Sequence, residues 1–478
     1  MTNIVWLRHE LRLDDNPALC RAAQEKDAVV PVYVWNPNPD AANAPGAASK
    51  WWLHHSLTAL SAAFAKRGAP LLLRIGNPAE ELPHIASECN AKAVFWNRAY
   101  DPHGKREDVQ TETTLRKTGV ACRIFAAANY LVNPDDILNN SGKPFKVFTP
   151  FWKRAATPAA KPLTAPAHLV AHEPALMGAS LDALGLLPEK DWTAGLRDTW
   201  QPGEAGAQLQ LQRFIENGLE NYGEAREYPA APGTSRLSPH LRFGEISPPI
   251  IADEIIRACA EQRAPQLTFM AEAFMRQLYW REFGMYLLHH FPHLLRSPMR
   301  PEFERFPWRN DPEQLKRWQH GQTGYPIVDA GMRELWRTGW MHNRVRMIAA
   351  SFLVKHLLLH WQSGAAWFWD TLVDADAANN TLGWQWVSGC GPDAAPYFRI
   401  FNPTTQSERY DATGDYIRQW VPELAQLNNK HIHAPWTAPP TTLQAAGVSL
   451  GDTYPKPIID HKEARRRALD AFAFIRNR

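Results

Sequence analysis

No stretch of this 478-residue chain comes close to 18 consecutive apolar residues, so the sequence predicts no transmembrane helix. The first residues, MTNIVWLRHELRLDD, carry charges where a signal peptide needs its apolar region, and a cytoplasmic protein is expected. Cysteine is scarce. Five residues (Cys20, Cys89, Cys122, Cys259, Cys390), scattered with no CxxC pair, argue against both a disulfide framework and a zinc site. The net charge of +3 is too small to mark a nucleic-acid protein by itself. No GxGxxG follows the first apolar strand, where Arg8-His9-Glu10-Leu11-Arg12 stands instead, so the dinucleotide fingerprint is missing. No GxSxG occurs, which removes the hydrolase elbow. Asp374-x-Asp376-x-x-Asn379 hints at a calcium loop, but Asn379 stands where Gly is needed and Gln385 where Glu is needed; no metal is expected.

What is present reads as an ordinary globular chain, 45% hydrophobic and 21% charged, long enough for two or three domains. Short apolar runs at Ile4–Leu7, Ala28–Trp35, Pro70–Ile75, Ala91–Trp96 and Ala121–Phe125 alternate with helical patterns around Ser49–Arg67, Pro78–Cys89 and Lys105–Thr118. Alternation of this kind predicts an α/β domain over 1–130, with a parallel doubly wound sheet. Residues 131–207, rich in Ala and Pro beyond Ala155, read as an interdomain connection laid over the surface and partly tied down near its end. From 208 to 478 apolar residues recur at helical spacing, including Asn343–Trp361, Ala366–Val373 and a closing basic helix, His461–Arg476; this part is expected to be all-α.

The most unusual stretch runs from Asp374 to Pro403, DADAANNTLGWQWVSGCGPDAAPYFRIFNP. Carboxylates, amides and three Gly set among flat aromatics suit a buried polar aromatic ligand better than a plain core. The chain holds 20 Trp, and Trp is both the best stacking platform and the most electron-rich side chain. Between Arg226 and Arg346 stand 17 Lys+Arg, 16 of them Arg, against 13 Asp+Glu, which leans towards a phosphate partner, with a solvated basic surface as the plainer alternative. Tyr222 and the loop Gly233-Thr234-Ser235-Arg236-Leu237-Ser238 offer donors to phosphate oxygens, or merely a helix cap. Gln277, Trp280 and Arg281 share one helix face, and Asn343, Arg346 and Met347 share another. Such faces suit a pocket that stacks a ring and bonds its edge, or an interhelical hydrogen-bond network. Trp308, Trp361 and Trp384 fall in three different segments, and spacing does not show whether they approach one another.

WLRHELRLDDNPAL (6–19), GTSRLS (233–238), LYWREF (278–283), GYPIVDAGMREL (324–335), GWMHNRVRM (339–347) and DADAANNTLGWQW…DAAPYFRIFNP (374–403) together resemble the photolyase/cryptochrome family, in order and over nearly the whole chain. The resemblance implies an N-terminal α/β domain and a C-terminal helical domain that holds FAD, which accounts for the missing GxGxxG. It implies that Tyr222, Thr234, Ser235, Leu237 and Ser238, with Arg236 among them, hold the flavin phosphates and ribose. Asp374, Asp376 and Asn380 then line adenine, ribose and isoalloxazine, Arg346 pairs with the first Asp, and Gln277, Arg281 and Asn343 complete the cofactor set. Asn380 stands beside flavin N5, and an Asn does not readily protonate it, which favours anionic reduced flavin.

By the same resemblance Trp384, Trp361 and Trp308 pass electrons inward from the surface. Arg226, Gln277, Trp280, Asn343, Arg344, Met347, Trp386 and Arg399 meet UV-damaged DNA, two Trp wedging a flipped pyrimidine dimer. Enzymes for (6-4) lesions place His where Asn343 and Met347 stand, so cyclobutane dimers are expected. Gln277 departs from the Glu usual in dimer photolyases. PGAASKWWLHHSL (45–57) resembles the bacterial class III subgroup with a folate antenna, methenyltetrahydrofolate, for which Trp51 and Trp52 would stack the pterin. The expected protein is a monomeric light-driven DNA repair lyase. The alternatives are a (6-4) photolyase and a cryptochrome-like photoreceptor that signals through a partner, against the latter of which stand Asn380, the Trp pair and the lack of a polar tail after the last helix.

Overall fold

The structure is a computed structural model and describes residues 1–37, 44–156, 161–262, 265–393 and 398–476. Residues 394–397 of the unusual stretch, Tyr397 among them, and 157–160 of the Ala/Pro-rich connection lie outside the described residues. The chain divides into two compact units. Unit 1 comprises Met1–Glu220, Ser235–Pro292 and Asp376–Ala378; unit 2 comprises Asn221–Thr234, His293–Ala375 and Asn379–Arg478.

Unit 1 is built on a sheet of β1 (Thr2–Leu7), β2 (Ala28–Trp35), β3 (Leu72–Ile75), β4 (Ala91–Asn97) and β5 (Ala121–Phe125), in the order β3-β2-β1-β4-β5. All pairings are parallel, with Ile4 opposite Val30 on one side and Val94 on the other. Parallel neighbours need crossovers, which α1 (Pro17–Gln24), α2 (Ala47–Lys66), α3 (Pro78–Glu88) and α4 (Pro102–Lys117) provide. Three of these helices open on a side-chain cap followed by Pro: Asn16 accepts from Leu19 N, Asn77 from Ala79 N, and Asp101 from His103 N and Gly104 N. Ile4, Trp6, Val32, Val94 and Trp96 fill the core without solvent exposure.

Arg12 is wholly buried in unit 1. It donates to the carbonyls of Asp14, Asp15, Ala128 and Gly244 and to Asn129 Oδ1, so one guanidinium ties the strand-end loop to distant backbone. Gly244 sits at φ +61°, and a Cβ there would lie 1.9 Å from the His9 carbonyl oxygen, so only glycine passes.

The connection is tied down more firmly than composition implies. Val29 N donates to Val170 O, Leu169 N to Arg67 O and Ala179 N to Leu73 O. Its helix α5 (Phe148–Ala155) buries Phe148 and Phe151 against the long helix Pro265–His290, where Tyr286 OH donates to Ile137 O at 2.8 Å. Because of such contacts, the helical stretch up to Pro292, apart from 221–234, belongs with the sheet, and the compact division does not fall at 208.

Unit 2 is helical, and among the described residues after 208 no strand occurs beyond isolated bridges. Its core gathers Trp318, Phe352, Leu353, Trp361 and Trp384. Asp329, fully buried, accepts from Thr323 N, Thr323 Oγ1, Gly324 N and Tyr454 OH, a satisfied polar hub. The expected helix Asn343–Trp361 is not continuous. It ends at Ser351, widens into a π turn over Phe352–His356, passes Leu358 at φ +55° and restarts at Trp361. The extra residue in that turn accompanies a buried Lys355, whose Nζ donates to Ser388 O at 2.7 Å; periodicity alone does not register such a bulge.

Candidate functional site

In unit 2 the polar stretch is organised by one ion pair. Arg346, on the helix Asn343–Ser351, donates from Nη2 to Asp374 Oδ2 at 2.8 Å and from Nε to Met341 O at 2.7 Å. Asp374 is nearly buried, and its Oδ1 has no hydrogen-bond partner among the described residues. An unpartnered buried carboxylate oxygen is costly and calls for a donor such as an amino or hydroxyl group. Asn380, on the helix Ala377–Ser388, donates Nδ2 to Ala365 O at 2.9 Å, which fixes the orientation of its amide. Gln385 is a clamp instead: fully buried, it donates to Leu294 O and Ser297 O and accepts from Met299 N. Tyr222 is buried, and burial pushes its phenol pKa up. Thr234 is half-buried, and the neighbouring Gly233 is required, since a Cβ would lie 2.3 Å from the Ala225 carbonyl carbon.

Of the other residues expected at the cofactor, Ser235, Arg236, Leu237, Ser238, Gln277, Arg281 and Asp376 belong to unit 1. Ser235 O accepts from Gln210 Nε2, and Leu237 N donates to Ser235 Oγ at 3.4 Å. Arg236 takes φ +52°, sparsely populated for a non-glycine residue, with its guanidinium 4.7 Å over the Trp200 ring. Ser238 is exposed at the start of a short helix, and Asp376 is half-buried. Arg281 donates to Asn129 O and Leu241 O and lies over Tyr130, so much of its donor fork positions backbone.

In unit 1 Trp280 is 36% exposed, and Phe148 stacks on it with centroids 3.7 Å apart and planes 8° apart. Trp152 stacks behind Phe148, and Arg276 lies over both of those rings. One face of Trp280 is thus backed by a rigid ladder. Gln277, one turn away, is half-buried, with Nε2 3.4 Å from Ala273 O.

In unit 2 Asn343 is exposed and reaches Met347 Sδ at 3.9 Å, while Arg344 reaches the same sulfur at 4.0 Å. Arg344 also pairs with Glu227, and Glu227 lies against Arg226. Trp386 is half-buried beside a small pocket shared with Lys355 and Arg399, and Arg399 lies 6.0 Å from the Phe401 ring centroid.

Two of the three tryptophans expected to pass electrons are linked through His360. His360 stacks on Trp361 at 5.8 Å and meets Trp308 edge-on at 5.1 Å. Trp361 is buried and Trp308 half-buried. Trp384 is buried against Phe368, and Gly364 packs so tightly on it that a Cβ would fall 2.1 Å from Cη2.

Trp51 and Trp52, expected to stack a pterin, are packed into the interior of unit 1. Both are essentially without exposure. Their own rings meet at 74°, and Trp52 is stacked on Phe243 with its Nε1 donating to Glu245. Helical periodicity marked these indoles as large and adjacent but not as enclosed. Glu227, Phe148 and His360 were missed; only Glu227 left a local signal, its adjacency to Arg226. Among the described residues no group of three or more His, Cys, Asp or Glu could hold a metal ion, and no helix is long and apolar enough to cross a membrane.

Residues 3–167 match the family described as DNA photolyase, and residues 274–473 match the FAD binding domain of DNA photolyase. The chain is 46% identical to deoxyribodipyrimidine photo-lyase of Agrobacterium fabrum, covering 99% of this chain and 98% of the relative. It is 39% identical to cryptochrome-2 of Arabidopsis thaliana, covering 99% of this chain and 79% of the relative. Among solved structures, a bacterial class III photolyase from Agrobacterium tumefaciens matches at a TM-score of 0.95 and 45% identity, covering 100% of this chain and 98% of that one. The chain belongs to the DNA photolyase family. It binds FAD, and the orphaned Oδ1 of Asp374, held beside Arg346, is the kind of acceptor such a ligand would satisfy.

Proposed function

We propose that this chain repairs cyclobutane pyrimidine dimers in DNA under light, the activity of a deoxyribodipyrimidine photo-lyase, and that the residues above divide the work as follows. Bound and reduced FAD supplies the photoexcited electron that splits the dimer and recovers it afterwards. Tyr222, Thr234, Ser235, Arg236, Leu237 and Ser238 would hold its phosphates and ribose, with Arg281 steadying the adjoining backbone. Asp374 would accept from it through Oδ1, Arg346 keeping that carboxylate oriented, while Asp376 and Asn380 would add to the polar edge. Asn380 and Asn343 carry no acidic proton, so neither can act as an acid towards a reduced ring.

The observation that carries the lesion assignment is the stack of Trp280 on Phe148. An indole with one face covered and the other exposed is a one-sided platform for a flat base. By the family resemblance Gln277 of unit 1 and Trp386, Met347 and Asn343 of unit 2 would each meet the lesion, and Arg226, Arg344 and Arg399 its backbone. Gln277 supplies an amide where an acid is usual, so it can bond a thymine edge but cannot protonate it. Trp308, Trp361 and Trp384 would return flavin to its reduced form. A folate-type antenna is proposed on resemblance alone, with the helix that carries Trp51 and Trp52 as the segment that resemblance points to. We place the protein in the cytoplasm, as a monomer.

The test is to illuminate the reduced protein with a dimer-containing oligothymidine and follow the thymine absorbance. Recovery in light and not in darkness is expected. Absence of recovery with flavin bound and reduced would overturn the assignment in favour of (6-4) lesions or of signalling.

A further inference from the structure

Arg226 and Arg344, the two cations set against DNA phosphates in the reading above, share one carboxylate. Glu227 Oε1 lies 3.4 Å from Arg226 Nε, and Glu227 Oε2 accepts from Arg344 Nη2. The three side chains are 28%, 31% and 19% exposed for Glu227, Arg226 and Arg344, so the cluster faces solvent and is not a core pair. Each guanidinium is also braced by a ring, Arg226 by Tyr222 at 5.7 Å and Arg344 by Tyr410 at 4.4 Å. The carboxylate is thus not the sole neighbour of either cation, and its distinctive contribution is its negative charge. A carboxylate presents to a guanidinium the same two-oxygen edge that a phosphodiester does. Glu227 thus sits where a phosphate would, and it cancels one of the two positive charges.

We propose that Glu227 is a tethered counter-anion that competes with the DNA backbone for Arg226 and Arg344. It lowers affinity for damaged and undamaged DNA alike, and so hastens release of the repaired strand. The inference rests on the reading of those arginines as phosphate contacts. Backbone contacts carry no information about the lesion, so the competition leaves discrimination to the pocket.

The experiment measures binding of the full chain to two duplexes, one with a single thymine dimer and one without, over a range of salt. Glu227→Gln should tighten both by the same factor, roughly 3- to 10-fold at low salt, and steepen the logarithmic salt slope by about 1, as one more phosphate is neutralised. Glu227→Asp, which keeps the charge, should stay near the parent. Unchanged or weakened binding by Glu227→Gln would overturn the proposal, as would tightening confined to one duplex. Arg226→Gln and Arg344→Gln test the underlying reading separately: if neither weakens binding, the phosphate assignment itself falls, whatever Glu227 does.

Discussion

Arg346 donates to Asp374 at 2.8 Å, and the carboxylate it meets is only 4% exposed, with its second oxygen unpartnered. The pair is therefore structurally coupled, and Asp374 Oδ1, without a partner among the described residues, is the acceptor proposed for the ligand. Removing the cation leaves a buried charge uncompensated. Arg346→Ala should cost about 3 kcal/mol of stability and reduce the FAD retained through gel filtration. A variant with unchanged urea midpoint and full flavin content would show that Asp374 does not depend on Arg346.

Trp280 owes its orientation to Phe148, a residue distant in the chain. Trp280→Ala should weaken binding of dimer-containing DNA by roughly 1–3 kcal/mol, the worth of one base stack. Phe148→Leu keeps the indole but removes its backing ring, and about 0.5–1.5 kcal/mol of ring pairing goes with it. Its affinity should fall between those of the parent and Trp280→Ala. Equal affinity in all three proteins would remove Trp280 from the pocket.

The tryptophans of unit 2 predict a separation of two activities. Trp384→Phe should block photoreduction of oxidised flavin yet leave repair intact once the protein has been chemically reduced. Trp308→Phe should do the same, because the half-buried Trp308 is the outer end of the Trp361–His360–Trp308 contact series. Normal photoreduction in either variant would rule out that route.

Acid should destabilise unit 2, and the sign follows from burial. Desolvation lowers His342 to about 4, and desolvation together with His461 and Arg467 lowers His356 to about 3. In the unfolded chain both titrate near 6.5, so below that pH the unfolded state binds more protons and stability falls. Buried Asp411, raised to about 6, works in the opposite direction below that pH. His360, His433 and His461, also lowered by burial, add to the loss, and buried Asp329, raised by burial, adds to the gain. The histidines outnumber the carboxylates, so the urea midpoint should drop from pH 6.5 to pH 5, and His356→Asn should reduce that slope. A midpoint that holds steady in the parent would contradict the burial argument.

Much of this molecule was legible in the chain. The strands Ala28–Trp35 and Ala121–Phe125 and the helix His461–Arg476 lie where the periodicity puts them, because strand and helix periods are set by backbone geometry within a few residues. The residue types of the polar stretch announced a ligand for a similar reason: paired carboxylates and amides make poor core, and their chemistry is intrinsic to the side chains. The tertiary structure decided everything that depends on which distant surfaces meet. It broke the helix after Ser351, enclosed Trp51 and Trp52, made Gln385 a clamp, placed Phe148 behind Trp280, and set Glu227 between two arginines. Apart from the adjacency of Arg226 and Glu227, these contacts join segments far apart in sequence, where local propensity carries no signal, and they exist because burial of the whole chain brings their partners to the same place.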